Sequence, residues 1–256
     1  MPSWNIHTAH VERLLNALDA CAIGIEDANA FLFGNYVPDV YVGFMVPDAS
    51  FRIDYCLTHS AMVETIPLPD AARFWDKYIA RRKPSTPVGM SLVLGAWAHL
   101  VTDRLYNGRF RAYWQTHDVA VDDAVRKGKQ TDFDLFGRSL GISKRVEVTP
   151  ELLEAADAFL PYRILAEDVR RAAAVANEIV RDGGRTSDND GTYQVVEAEW
   201  LSDVFAMCDD WLSLWLTTWQ QLVGEGSDHN AADVRKRAGL PKAAPDDFDW
   251  SRKGAR

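Results

Sequence analysis

The stretch VGMSLVLGAWAHLVTDRLYNGRF, residues 88–110, is the most hydrophobic part of the chain and decides the fold. Its length and the helical spacing of its apolar side chains predict one long, buried helix. Pro84 and Pro87 end the preceding helix and introduce this one. Gly95 and Ala96 carry little or no side chain. We therefore expect the backbone of a neighbouring helix to approach closely at this point.

Hydrophobic spacing predicts further helices on both sides of this segment, and no stretch shows the alternation typical of a strand. The expected fold class is all-α, a multi-helix single domain. We expect this domain over residues 1–224 and a polar tail, loosely docked or disordered, over residues 225–256. Helices are predicted over residues 7–20, 26–33, 70–82, 149–181 with a kink near Pro161, and 193–223, whereas residues 39–66 are expected to be irregular and residues 112–146 to form a short helix and loops.

Composition limits the classes of protein and of partner. The chain has 256 residues, of which 47% are hydrophobic, which is enough for one large core. Its net charge of -9 disfavours duplex nucleic acid as a partner. Cys21, Cys56 and Cys208 are odd in number and widely spaced, which indicates reduced thiols. The chain start lacks a signal sequence, and no apolar run approaches the roughly 20 residues that span a bilayer. We expect a cytoplasmic protein without an integral membrane segment, and the oligomeric state stays open.

The strongest local signal for chemistry is the pair His99 and Asp103 in the hydrophobic segment. Residues four apart share one face of a helix, so an imidazole and a carboxylate at this spacing can bind one ion. A buried carboxylate is costly unless it is paired or bound to a metal. The alternative interpretation is a simple hydrogen bond between the two side chains. Asp39 after a Gly/Pro turn, the lone His59 and His7 near the chain start add the imidazole and carboxylate chemistry that zinc prefers.

Several segments follow one another in an order that is typical of a known family. They are Met1-Pro2-Ser3-Trp4 with His7, Phe31-Leu32-Phe33-Gly34-Asn35 running to Pro38-Asp39, Thr58-His59, Gly95-Ala96-Trp97-Ala98-His99-Leu100-Val101-Thr102-Asp103 with Tyr106-Asn107 beyond, and Lys129-Gln130-Thr131-Asp132-Phe133. As an ordered set, they resemble the bacterial zinc-dependent phospholipase C family, most closely its small uncharacterised cytosolic branch. The resemblance covers residues 1–140, and the rest of the chain carries no motif that we can assign.

This resemblance implies a helical fold with a metal cluster at the bottom of a cleft. It implies that His59, His99 and Asp103 bind one zinc ion, and that Asp39 binds this ion or acts as a base. It also implies that His7 helps to bind a second zinc ion, with Asp103 as the bridging ligand. The implied activity is hydrolysis of a phosphodiester or phosphoester by a metal-activated water. The implied substrate is a small phosphoester or a phospholipid-like molecule.

The sequence departs from the family pattern in two respects. Secreted relatives carry an HxxxE pair for a third zinc ion, and no HxxxE follows Asp103 here. We therefore expect one or two zinc ions rather than three. Secreted relatives also use a freed amino terminus as a ligand. Removal of Met1 would leave the amine of Pro2 five residues before His7, and our hypothesis is that this amine substitutes as that ligand.

Two other functions stay open from the sequence. The first is a non-catalytic binding or scaffold protein that keeps a structural metal, since structural sites are closed and catalytic sites keep an open position. The second is a phosphohydrolase of the HD type, because His117-Asp118 is a literal His-Asp dipeptide. Its polar surroundings disfavour this interpretation.

We expect structural roles for the remaining polar residues near these motifs. We expect His10 to be a partly exposed helix residue, and Lys127 and Lys129 to belong to a solvated charge run. Asp209 and Asp210 are expected to face solvent. Asp132 and Asp134 are expected to cap a helix, and the tryptophans of residues 200–219 to belong to the core.

Overall fold

The computed structural model describes residues 2–64, 66–80, 84–117, 122–183, 191–226 and 229–240. Across these ranges the regular structure is helical, and no strand occurs in them. The predicted all-α class is therefore confirmed. The helices are α1 (Trp4–Ala17), α2 (Ala28–Gly34), α3 (Val37–Val40), α4 (Tyr55–Thr58), α5 (Ala71–Trp75), α6 (Pro87–His117), α7 (Asp123–Ser139), α8 (Pro150–Asp157), α9 (Ala166–Gly183), α10 (Ala198–Gly224) and α11 (Ala231–Arg237).

Helix α6 is the centre of the fold. It is 31 residues long and is buried along most of its length, as its hydrophobic sequence predicts. Helices α1, α2, α5, α8 and α10 all pack against α6 or against one another around it. A helix of this length that is buried around its circumference needs neighbours on several sides, because its apolar surface must be removed from water.

Helices α2 and α6 cross in backbone contact at a pair of glycines. A Cβ atom added to Gly34 would lie 2.1 Å from the carbonyl oxygen of Leu92, and one added to Gly95 would lie 2.1 Å from that of Phe31. Any side chain at either position would force the two helices apart, because the obstructing atoms belong to the backbone. The close approach predicted at Gly95 is therefore confirmed.

The tryptophans of α10 belong to the core, as expected. Trp75 makes edge contacts with Trp97, Trp215 and Trp219, with ring centroids 4.9–5.3 Å apart. Trp211 stacks on Trp215 at 4.8 Å. Edge-to-face and offset pairs at these separations are favourable, so the cluster ties α5, α6 and α10 together.

Several helix bounds differ from the expected ones. The segment predicted as one kinked helix over residues 149–181 is two helices, α8 and α9, joined by residues 158–165. Thr149 caps α8 by accepting a hydrogen bond from the backbone N–H of Leu152, as expected. Residues 123–139 form a full helix where a shorter one was expected. The irregular region after residue 39 also contains the short α4.

The polar segment after residue 224 includes a docked helix. Ala231 and Val234 of α11 are buried, and the backbone N–H of Ala231 donates to Asp76. Residues 229–240 are therefore held by packing rather than loosely docked, because even a polar sequence can place small apolar side chains on one helix face. Residues 241–256 of the predicted tail lie outside the described residues. In the part of the chain that the structure describes, no helix is long and apolar enough to cross a membrane.

Replacing Gly95 with alanine tests the glycine crossing. Gly95→Ala should lower the free energy of unfolding by about 1–3 kcal/mol, because the added methyl group overlaps the α2 backbone. Gly224→Ala is the matched control, since no atom lies within 4 Å of a Cβ placed there. We expect the control to change stability by less than about 1 kcal/mol, in the stabilising direction. Urea unfolding measures both, and equal stability of the two variants would contradict the crossing.

Candidate metal centre

Five side chains from separate parts of the chain meet inside the helical body. Helix α1 supplies His7, α3 supplies Asp39, and the residue after α4 is His59. One face of α6 supplies His99 and Asp103. All five are buried, and none is more than 2% exposed. The structure therefore brings together every residue that the sequence analysis placed in the site.

Two imidazole nitrogen atoms of the cluster lie close to each other and to both carboxylates. His59 Nε2 lies 3.1 Å from His99 Nε2, 3.6 Å from Asp39 Oδ1 and 3.5 Å from Asp103 Oδ2. His99 Nε2 lies 3.9 Å from Asp39 Oδ2 and 3.7 Å from Asp103 Oδ2. Tetrahedral zinc with bonds of about 2.0–2.1 Å separates its ligands by about 3.3 Å. His59 Nε2, His99 Nε2 and Asp103 Oδ2 therefore fit around a single small cation, and Asp39 lies beside them.

The two imidazoles are held in a fixed orientation by their other nitrogen atoms. His99 Nδ1 lies 2.8 Å from the carbonyl oxygen of Asn35, which can only accept, so this nitrogen carries the proton. His99 Nε2 then faces His59 and the carboxylates. His59 Nδ1 lies 2.8 Å from Thr58 Oγ1. A hydrogen bond at the outer nitrogen is the usual support for a metal-binding histidine.

The two carboxylates are each held by one aromatic side chain. Trp4 Nε1 donates to Asp39 Oδ2 at 3.0 Å, and the Tyr55 hydroxyl donates to Asp103 Oδ2 at 3.2 Å. The other oxygen of each carboxylate has no hydrogen-bond partner in the described structure. A buried carboxylate oxygen without a partner is costly, so both atoms favour a bound cation.

His7 lies on the other side of the same cluster. Its ring stacks on that of His99 with centroids 4.1 Å apart, and its Nε2 lies 3.4 Å from Asp103 Oδ1. Neither ring nitrogen of His7 has a hydrogen bond within the described ranges. His7, His99 and Asp103 form a second group of potential ligands beside Asp39, His59 and His99. Since Asp103 offers one oxygen to each side, a second ion would share it.

Burial and neighbouring charges set the protonation of the cluster. Burial and the proximity of His99 lower the pKa of His7 to about 4 and that of His59 to about 3. Both imidazoles are therefore neutral at physiological pH, the form in which histidine binds metals. Burial raises the pKa of Asp39. The pKa of Asp103 is lowered although burial opposes its charge, because His99, His7 and His59 surround its carboxylate.

The cluster is closed to solvent in this conformation. Tyr55 stacks on His59 with centroids 3.8 Å apart and covers the cluster from the side of α4. Two cavities lie nearby, with volumes of about 590 and 200 Å³, and none of the five cluster residues lines either one. The smaller cavity lies against Trp97, Trp211 and Trp215. The cleft that the family resemblance implies is therefore not open onto the cluster here.

Three of the other expectations for polar residues are wrong. His10 is buried, because Phe205 stacks on it and its Nδ1 lies 2.5 Å from Asp209 Oδ1. Asp209 accordingly is mostly buried rather than solvent-facing. Lys129 is also buried, with Nζ over the rings of two phenylalanines. His10 and Lys129 contact aromatic rings, and the charge pattern of a sequence does not reveal such contacts.

The remaining expectations have separate outcomes. Asp132 is buried and accepts hydrogen bonds from the backbone N–H groups of residues 194–196, which precede α10, so it holds this segment rather than capping a helix. His117 is exposed at the end of α6 and hydrogen-bonds the carbonyl of Tyr113. Asp118, the second half of the HD dipeptide, lies outside the described residues, as does Met1. The Pro2 amine hypothesis therefore stays a prediction.

Four supporting residues were missed by the sequence analysis as parts of the site. Trp4, Asn35, Tyr55 and Thr58 hold the carboxylates and imidazoles in place. Trp4, Asn35 and Thr58 lie inside the segments that carry the family resemblance, which is a signal that could have found them. Tyr55 lies outside these segments, and its contact with Asp103 follows only from the fold.

Comparison of the chain with family models, with curated proteins and with solved structures found no match. The resemblance to zinc-dependent phospholipase C therefore stays a prediction, both for the type of helical fold and for the activity.

The pair of His10 and Asp209 makes stability depend on pH. Burial opposes the charge on His10, but the neighbouring Cys208 sulfur and Asp209 carboxylate outweigh it and raise its pKa to about 9. A histidine with a raised pKa in the folded state stabilises fully below its unfolded value of about 6.5 and loses this contribution as pH rises through 9. The unfolding free energy should therefore fall between pH 6.5 and 9.

Removal of the carboxylate partner tests this dependence. Asp209→Asn should cost about 2 kcal/mol at pH 6.5, because a hydrogen bond to a buried charged group is lost. It should also flatten the decline between pH 6.5 and 9. Asp210→Asn is the matched control, since Asp210 is exposed. It should leave unchanged both the unfolding free energy at pH 6.5 and its decline towards pH 9. Urea unfolding across this pH range measures the effect, and parallel curves for wild type and Asp209→Asn would show that His10 is not charged.

Proposed function

We propose that this protein is a zinc-dependent hydrolase of a phosphodiester or phosphoester, phospholipase C-like in its chemistry. The single observation that carries the proposal is that His59 Nε2, His99 Nε2 and Asp103 Oδ2 lie 3.1–3.7 Å apart, which is the spacing of three protein ligands of one tetrahedral ion, with Asp39 beside them. The unpartnered buried atoms of His7, Asp39 and Asp103 support it, because they leave the cluster incomplete without a cation.

The chemical type of the donors favours a catalytic ion over a structural one. Structural zinc sites are commonly built with cysteine, whereas catalytic sites use histidine and carboxylate ligands. The three cysteines are absent from both groups of potential ligands found in the described residues. Imidazole with carboxylate is also the ligand set of metals that activate water.

Each residue has a distinct part in the proposed reaction. His59, His99 and Asp103 would hold the first ion, and His7 with Asp103 would hold part of a second. A bound zinc ion supplies a water molecule of lowered pKa and neutralises charge on the phosphoryl oxygens. Asp39 is the candidate base: Trp4 fixes its Oδ2, and its Oδ1 is left without a partner.

The proposed reaction is a balanced hydrolysis. Asp39 accepts a proton from the attacking water, whose oxygen forms the new bond to phosphorus as an ester P–O bond breaks. The proton passes to the leaving alkoxide, so that the products are a phosphomonoester, or free phosphate, and an alcohol.

The closed surface of the cluster favours a second candidate function. With no cluster residue more than 2% exposed, the same donors could hold a structural ion without turnover. The protein would then be a helical binding or scaffold protein. The two functions differ in one respect that can be measured, namely whether the metal-loaded protein hydrolyses a phosphoester.

Metal analysis tests the site itself. The purified protein should contain one or two zinc ions per chain, and His99→Ala should lose them. The variant should also lose about 3 kcal/mol or more of stability, because two buried carboxylates are left without their partner. His117→Ala is the control: this exposed histidine lies in neither group of ligands, so its zinc content should match wild type. Elemental analysis decides, and zinc loss in His117→Ala would revive the HD-type interpretation.

Replacement of Asp39 tests the reaction. Asp39→Asn keeps the shape of the side chain, so zinc content should stay within about twofold of wild type. Hydrolysis of bis(p-nitrophenyl) phosphate should fall by about 100-fold or more, because the proton acceptor is lost. Asp48→Asn is the control, since Asp48 is exposed and has a φ of 53° that asparagine adopts readily. Zinc-loaded wild type that is inert towards phosphoesters would favour the structural function instead.

A further inference from the structure

A wide cavity with a cationic side lies beside the metal centre. Its volume of about 590 Å³ is within the range of small-molecule sites. We call it the cationic cavity. Four basic residues line it, namely Arg73, Lys77, Arg104 and Arg111, together with Glu64, Asp70 and neighbouring residues on both sides of His59, but not His59 itself.

The balance of charge in the cationic cavity is opposite to that of the chain. Four basic side chains stand against two acidic ones, Glu64 and Asp70, although the whole chain has a net charge of -9. A concave surface lined by one sign of charge concentrates the field and attracts ions of the other sign. The cavity therefore favours the binding of an anion, although the net charge of the protein repels anions.

The two acidic residues have local partners. Glu64 forms an ion pair with Arg111, and Asp70 caps α5 by accepting a hydrogen bond from the backbone N–H of Arg73. Neither the Arg73 side chain nor that of Lys77 forms an ion pair within the described ranges, and the Lys77 ammonium lies over the Tyr78 ring. These two cations therefore keep their charge available for a ligand.

The segments that line the cationic cavity also carry residues of the candidate metal centre. Cys56, Leu57 and Ser60 come from the segment that carries His59. Arg104 directly follows Asp103 on α6 and donates to the carbonyl of Pro69. Each of these lining residues thus lies one to three positions along the sequence from a proposed zinc ligand.

We propose that the cationic cavity binds a phosphate group, and that the substrate of the hydrolase carries this group in addition to the ester that is hydrolysed. The second part rests on the proposed function. Arginine and lysine suit this ligand, because guanidinium binds phosphate oxygens in pairs and ammonium adds a point charge. The preferred substrate class is therefore a phosphoester with a second anionic phosphate.

Binding of inorganic pyrophosphate by calorimetry tests the site without an assay of turnover. The protein is used as purified, with its zinc content measured before and after titration. Arg73→Gln/Lys77→Gln should raise the dissociation constant by about tenfold or more, because charge-assisted hydrogen bonds are lost. Both side chains are exposed, so these changes leave the core intact. Arg126→Gln/Lys127→Gln removes two exposed charges of α7, outside the cavity, and should stay within about twofold.

The outcomes separate this site from the proposed function. No binding by wild type, or equal weakening in both double variants, would overturn the cationic cavity even if zinc and phosphodiesterase activity are present. Selective weakening in Arg73→Gln/Lys77→Gln on a protein that lacks zinc would support the cavity as a phosphate site and remove the hydrolase. Selective weakening on a zinc-loaded, active protein would support both.

Discussion

Asp39 and Asp103 place two carboxylates where water is excluded, and charge compensation at this point governs the rest of the structure. Removing a carboxylate from water costs several kcal/mol unless a cation or hydrogen bonds replace the lost hydration. One hydrogen bond to each carboxylate, from Trp4 and Tyr55, is too little to replace it. The imidazoles of His7 and His59 are neutral and add no positive charge. A metal ion held by these residues would supply the missing positive charge.

The sequence predicts this site better than it predicts the helices around it. His99 and Asp103 are recognisable because two polar residues at helical spacing interrupt the most apolar segment. Asp39, His59 and His7 needed an ordered pattern, since each alone is an ordinary turn, surface or helix residue. The fold class follows from hydrophobic spacing alone. The break between α8 and α9 does not, because residues near Pro161 can kink a helix or end it, and tertiary packing decides between the two.

Long-range partners account for the predictions that failed. His10 reads as a surface histidine from its neighbours on α1, yet its partner Asp209 is 199 residues away on α10. Lys129 lies in a charged sequence but covers two aromatic rings of the core. The cationic cavity is likewise not evident in the sequence, because Arg73 lies on α5, Lys77 in the helical turn after it, and the other two arginines on α6, and these segments meet only after folding. The net charge is a sum over the whole chain, so it does not show that the charge around one cavity has the opposite sign.

The crossing of α2 and α6 joins the architecture to the chemistry. Asn35, whose carbonyl orients the His99 imidazole, comes directly after the glycine of α2, and His99 stands one helical turn beyond the glycine of α6. The interaxial spacing at this contact consequently sets the position of a ligand nitrogen. A larger residue at either glycine would shift the His99 imidazole as well as the helices, so the packing of this crossing and the geometry of the candidate metal centre are constrained together.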